Sequence, residues 1–211
     1  FFVFINTFHL FLQEKYINMK KVVVFCGSSI GFNSVYKEAA IELGNYFANN
    51  NITMVFGGGK IGMMGVIADT ILAKKGDVIG VIPKLLEKEE VVHREVTELI
   101  ITKKMSDRKV IMSKLIDGYI TLPGGFGTLD ELFEALTLNQ LHIEQKPVGL
   151  LNVNGFFDYT LKQLDVMVTE GYLKQQNRDL LLIDTSVDGL LQQMLHYKAP
   201  EKSDVINKVV R

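Results

Sequence analysis

Six short apolar runs and a weaker seventh, separated by longer amphipathic stretches, restrict the fold of this chain more than any other feature. They read "KVVVFCGSS", "ITMVFGGG", "DVIGVIP", "ELIITKK", "GYITLPG", "KPVGLLN" and, more faintly, "LLLID". Strand-length runs that are apolar almost throughout, alternating with helix-length segments, are the pattern of βαβ units whose parallel sheet is covered on both faces. The expectation is an α/β fold, a doubly wound parallel sheet of six or seven strands with helices on both faces. Helices are expected over residues 34–49, 64–75, 106–116, 128–143, 156–170 and 186–197. The chain has 211 residues, enough for one domain with a core of its own.

That domain is expected to span 19–198, with 199–211, "APEKSDVINKVVR", as a polar tail. Residues 1–18 hold five of the thirteen phenylalanines and are kept out of the fold argument as an apolar N-terminal extension. They lack the basic start and small-residue cleavage site of a signal peptide, and their apolar run is too short to span a bilayer. Met19, opening "MKKVVVF", is the expected start.

A net charge of −1 and a pI near 6.5 argue against a nucleic-acid polymer as partner, since such modules display a concentrated basic face. A small molecule is favoured. The single cysteine, Cys26, rules out an internal disulfide, and the four histidines stand outside metal-ligand spacing. The expectation is a cytoplasmic protein with neither structural metal nor membrane partner.

In an open α/β sheet, ligands bind outside the carboxyl ends of the strands. Four loops there are unusual: Gly27-Ser28-Ser29, "GGGKIGMMG", "KKMSDRK" and "PGGFGT". With a strand order of 3-2-1-4-5, all four would line one rim. "GGGKIG" satisfies G-x-G-x-x-G through Gly57, Gly59 and Gly62, but the acidic residue about twenty positions on, Asp77, starts the next strand instead of ending it. A dinucleotide site is therefore disfavoured, and no G-x-x-x-x-G-K-[ST] loop marks a nucleotide triphosphatase. Glycine loops that open helices still suit phosphate, because backbone N–H groups can approach an anion at the positive helix end. Tight packing explains one such loop equally well. A second at "PGGFGT", with the Thr128 hydroxyl, favours a phosphomonoester held between two helix N-termini.

Thr128-Leu129-Asp130-Glu131 also reads as a T-x-x-E capping box. Glu131 and Glu134 share one face of that helix, while Leu129, Leu132, Phe133 and Leu136 are expected on its buried side. Ser106 is the expected N-cap of the preceding helix. That would put Arg108 and Lys109 in its first turn, where each cation opposes the macrodipole by roughly 0.3–1 kcal/mol unless an anion lies nearby.

"PGGFGTLDE", "MSDRK" upstream of it and "GGGKIGMMG" before both resemble the LONELY GUY (LOG) family over about residues 20–197. The resemblance implies a Rossmann-like homodimer that hydrolyses the N-glycosidic bond of purine nucleoside 5′-monophosphates. The substrate would be an N6-modified AMP such as isopentenyl-AMP, or AMP itself, and the products free base and ribose 5-phosphate. It implies Glu131 and Arg108 as catalytic residues. Phosphate and ribose would be bound by Gly124, Gly125, Gly127 and Thr128, together with Gly58, Gly59 and Gly62 of the other loop; Lys109 and Ser28 complete the expected binding set. Where relatives often read "TWxQLG" this chain has "TLNQLHI", with Leu138 for the tryptophan and His142 for the glycine.

The chemistry fits these residues. Cleavage of a ribosyl C–N bond passes through an oxocarbenium-like state that a fixed carboxylate stabilises while it orients water. A helix N-terminus and Arg108 would keep Glu131 ionised, as electrostatic stabiliser or general base and not as general acid. The Arg108 fork would clamp ribose or phosphate oxygens and orient Glu131. The scheme requires no metal and no cofactor. Many relatives are labelled lysine decarboxylases, but none of Lys60, Lys104 and Lys109 is marked as a Schiff-base lysine. The rival reading is a nucleotide-binding carrier or sensor of the same fold without turnover.

Overall fold

The structure, a computed structural model, describes residues 19–87 and 92–200. The expected N-terminal extension and all but the first two residues of the expected polar tail lie outside the described residues. Seven parallel strands form one sheet in the order β4-β3-β2-β1-β5-β6-β7. They are β1 (Lys21–Phe25), β2 (Thr53–Phe56), β3 (Val78–Pro83), β4 (Glu98–Thr102), β5 (Gly118–Thr121), β6 (Val148–Leu151) and β7 (Leu181–Asp184). Each coincides with one of the seven runs read from sequence.

The helices are α1 (Ser34–Asn49), α2 (Gly62–Ala73), α3 (Lys84–Glu87), α4 (Met105–Leu115), α5 (Phe126–Gln140), α6 (Asp158–Thr169), α7 (Gln175–Arg178) and α8 (Val187–Leu195). Six were expected. α3 and α7, each four residues long, are too short to carry a helical periodicity and were not. None of the described helices is long and apolar enough to cross a membrane.

Two layers flank the sheet, as a doubly wound chain requires. Alternate residues of β1 point to opposite sides: Val22 and Val24 join Leu43, Phe47, Ile67 and Leu191 under α1, α2 and α8. Val23 and Phe25 join Met112, Leu132 and Leu164 under α4, α5 and α6. Asn33 caps α1 by accepting from the Val35 N–H at 3.2 Å. Its apolar stripe Ala40, Leu43, Phe47 is fully buried, and each large side chain so buried contributes roughly 1.5–3 kcal/mol. Asp117 fastens the centre of the sheet, accepting from the backbone N–H groups of Lys20 and Lys21 at 2.9 Å each.

The strand order corrects one expectation. β4 does not follow β1; it lies at the far edge beyond β3, paired from Ile79↔Glu98 to Pro83↔Thr102. Its residues are largely solvent-accessible, whereas β3 is buried throughout. The glutamate opening "ELIITKK" and the lysines closing it suit an edge. The loop after β4 therefore starts away from the switch point between β1 and β5. α4 carries it back, packing across β3, β2 and β1.

Candidate active site

Three loops meet at the carboxyl ends of β1, β2 and β5, stitched by backbone hydrogen bonds. The Gly27 N–H donates to the Pro123 carbonyl at 3.0 Å, and the Gly27 carbonyl accepts from the Met63 N–H at 3.1 Å. Between these loops and α4 lies a cavity of about 560 Å³. Its polar wall is Ser28, Arg108, Thr128 and Glu131, and its apolar wall includes Ile61, Met64, Ile82, Leu86 and Phe126.

α5 begins at Phe126, two residues before the expected start, with Gly125 at its N-cap and no side chain capping it. The T-x-x-E capping box is thus not formed. Thr128 lies within the first turn, buried, and its hydroxyl sits where a Cβ on Gly124 would fall, 2.1 Å away. Glu131 is one turn further on, facing Arg108 and not the cap. The first N–H groups of α5, at the mouth of the cavity, have no side-chain partner among the described residues. Gly125 and Gly127 have open space where a Cβ would stand. Phe126 between them is 95% exposed.

α4 likewise starts earlier than expected, at Met105, with Lys104 as an N-cap that makes no side-chain bond; Ser106 is inside the helix and is not its cap. Arg108 and Lys109 are its fourth and fifth residues, so both lie past the first three helical positions, and each has carboxylate partners. Arg108 Nη2 donates to Glu131 Oε1, the two side chains being only 16% and 12% exposed. The guanidinium lies over Gly57, both of its terminal nitrogens 3.5 Å from where a Cβ would be. Arg108 Nε is buried without a hydrogen-bond partner among the described residues.

Lys109 Nζ pairs with Asp130 Oδ2 at 2.6 Å and with Glu134 Oε2, outside the large cavity. Burial pulls its ammonium down, but those carboxylates outweigh burial and hold it above the usual lysine range. A Schiff-base amine needs the opposite shift.

Glu131 departs from expectation in its electrostatics. Burial drives its carboxyl above the usual glutamate range, and Arg108, then Lys109, pull it down without cancelling that. Sequence alone showed the arginine and the helix but not the depth at which the carboxyl sits, so the shift runs upward where a downward one was expected. Burial, with Glu131 adding to it, also pushes the Cys26 thiol up, which leaves it the small buried residue of its wall.

Of the expected binding residues, Ser28, Gly59, Gly125, Gly127 and Thr128 line the cavity with the pair Arg108–Glu131. Gly124 lies behind Thr128 and borders a neighbouring hollow with Tyr36 and Phe156. Gly58 adopts φ +76° against Ile82, and Gly62 at φ +70° lies against the Ser28 backbone. Glu134 turns to Lys109, and Phe133, expected inside, is partly exposed. The apolar wall was missed, although Ile61 and Phe126, each set beside loop glycines, were its visible signal. His142 has φ +53°, a left-handed conformation that explains why glycine suits this position in the resembling family.

Comparison with known proteins gives a consistent picture. The family model described as "Possible lysine decarboxylase" matches residues 64–194. The chain is 38% identical over 199 residues to "Cytokinin riboside 5'-monophosphate phosphoribohydrolase LOG2" of Arabidopsis thaliana, covering 94% of this chain and 93% of the relative. Identity is 42% over 189 residues to LOG1 of the same plant, so named as well, covering 90% and 88%. Among solved structures, the molybdenum cofactor binding protein of Rippkaea orientalis superposes with a TM-score of 0.62 at 22% identity, covering 82% of this chain and 93% of the other. The molybdenum cofactor carrier protein of Chlamydomonas reinhardtii gives 0.61 at 22%, covering 84% and 98%. Those two likenesses concern the fold.

Proposed function

Because this chain belongs to the LONELY GUY family, matched along most of its length by plant phosphoribohydrolases, we propose that it hydrolyses the N-glycosidic bond of purine nucleoside 5′-monophosphates. Its substrate would be AMP or an N6-modified AMP, released as free base and ribose 5-phosphate. The observation that carries this reading is the buried Arg108–Glu131 pair in a cavity beside an uncapped helix N-terminus.

The 5′-phosphate belongs at the start of α5, where the bare N–H groups, the open sides of Gly125 and Gly127 and the positive helix end all favour an anion. The ribose then faces Arg108 and Glu131, and the purine meets the apolar wall of Ile61, Leu86 and Phe126. As the C–N bond breaks, Glu131 stabilises positive charge at C1′ and takes a proton from the attacking water, which adds to C1′ while the base leaves with the bond pair and takes up a proton from solvent, to which Glu131 returns its own. A carboxylate whose proton affinity is raised by burial is the stronger base for that step. Arg108 keeps it oriented.

The same reading carries a homodimer and a cytoplasmic location. Support for the dimer is the exposed apolar set Phe133, Leu141, Ile143, Val166 and Met167 on and around α5 and α6; a monomer by light scattering would count against it.

The test is incubation with AMP and N6-isopentenyl-AMP, following free base. No release from any purine monophosphate at high enzyme concentration would sink the reading, and tight binding without product would favour a carrier. Glu131→Gln is expected to lower kcat by about 10²–10⁴-fold, with nucleotide affinity nearly kept.

A further inference from the structure

Behind the glycine loop after β2 stands a residue the proposed chemistry does not use. His93 is 1% exposed. Its Nε2 is hydrogen-bonded to Asp69 Oδ1 on α2 at 2.9 Å, whereas its Nδ1, 3.3 Å from Glu95 Oε2, makes no hydrogen bond among the described residues. Its backbone N–H donates to the Gly58 carbonyl at 2.9 Å, while Val92 forms an antiparallel bridge with Gly59. Glu95 reaches on to Lys60, Nζ to Oε1 3.0 Å. The imidazole meets Phe56 edge to face, with ring centroids 6.5 Å apart.

Three consecutive glycines offer no side chains by which a loop can be held, so its position must be set from outside. Asp69 and Glu95 are both largely in water and would stay solvated without the histidine. Packing alone would be served by an apolar ring of similar volume. What the polar contacts add is a fixed distance between α2, the 92–95 segment and the loop. The loop in turn carries Gly57, on which the Arg108 guanidinium lies.

We propose that His93 is a positioning residue: bonded through its ring to Asp69 and through its backbone to Gly58, it fixes the Gly57–Lys60 loop so that Gly57 seats Arg108 against Glu131. Its role in turnover rests on the phosphoribohydrolase reading; its role in seating the guanidinium does not. His93→Leu should lower kcat by about tenfold or more and change the affinity for ribose 5-phosphate less than about threefold, because the phosphate rests on α5. His93→Gln, which keeps an N–H for Asp69, should recover most of the loss. In an Arg108→Ala background His93→Leu should cost nothing further, since it acts through that arginine.

The Arg108 Nε–H resonance, assigned by its disappearance in Arg108→Lys, should shift and exchange faster in His93→Leu. Wild-type enzyme that turns over no purine monophosphate defeats the functional reading, and the resonance alone then decides this one. A folded His93→Leu with an unmoved Arg108 signal overturns the inference whatever the enzyme turns over. If His93→Leu does not fold, Asp69→Ala, at an exposed partner, replaces it in the same measurement: an unmoved signal overturns the inference and a shifted one supports it.

Discussion

The loop after β2 and the loop after β5 both set glycines between a strand and a helix, and the fold uses them differently. In the first, Gly58 and Gly62 have positive φ, and a Cβ on Gly62 would fall 2.2 Å from the Ser28 carbonyl carbon. The start of α2 is also occupied, since its Met63 N–H donates to Gly27. In the second, Gly124 is packed against Thr128 and Gly27, but a Cβ on Gly125 or Gly127 would meet nothing within 4 Å among the described residues, and none of their side chains caps α5. One loop's glycines let backbone meet backbone; the other's leave a helix end open to a ligand. Of the two helix N-termini expected to hold a phosphate, only that of α5 is open, and the Gly57 of the β2 loop lies under the Arg108 guanidinium instead.

Alanine at each loop separates these roles. Gly62→Ala should destabilise the protein by about 1–3 kcal/mol, because it needs a left-handed backbone and a displaced Ser28 loop. That corresponds to a fall in Tm of several degrees for a chain of this length. Gly125→Ala, at φ −99°, should leave Tm nearly unchanged and raise KM for the nucleotide by about tenfold, since a methyl group would stand in the proposed phosphate site. Thermal melts and steady-state kinetics on the two variants check this. Equal losses of stability would erase the distinction between the loops.

How far the sequence carried depends on the scale of the feature. The inner strands were legible because burial on both faces forces a continuous apolar run, the edge strands β4 and β7 because short apolar runs still punctuate the helix-length stretches, and Ser34–Asn49 was legible as one of those amphipathic stretches. Arg108 and Glu131 were legible as residues, by the motifs they close. Their geometry was not. Ser106 and Thr128 look like caps by composition, yet both helices start earlier, because nothing in a local string says that Thr128 will be drawn back over Gly124. The edge position of β4 and the depth of Glu131 are likewise properties of packing between segments distant in sequence. His93 is the sharpest case: its partners Asp69 and Glu95 lie 24 positions upstream and two downstream, a spacing that matches no local pattern.

Gly127→Ala sharpens the comparison with an effect of opposite sign. Gly127 lies in the first turn of α5 with open space beside it, so alanine should stabilise the helix by up to about 1 kcal/mol. The same methyl group borders the cavity mouth, so nucleotide affinity should fall while Tm rises. A variant gaining both stability and affinity would mean that the α5 terminus is not where the anion binds.

The smallest expected effect is electrostatic and again divides the loops. Glu131, beside the second, is raised by burial against the pull of Arg108. Glu95, strapped to the first, is lowered by its hydrogen bond to Lys60. A carboxyl with a raised folded pKa contributes stability that is full below the ordinary glutamate value and is lost as pH rises through the folded one. A carboxyl with a lowered folded pKa contributes stability present above the ordinary value and lost as pH falls through its own. Between about pH 3 and pH 7, the Tm of Glu131→Gln minus wild type should therefore climb with pH, since Gln keeps an oxygen for Arg108 and escapes the cost of a buried charge. The same difference for Glu95→Gln should decline, and only slightly, because that pair is solvent-screened. Parallel slopes would mean that the two carboxylates sit in equivalent surroundings, and with that the contrast between a solvated carboxylate and a buried ion pair would fail.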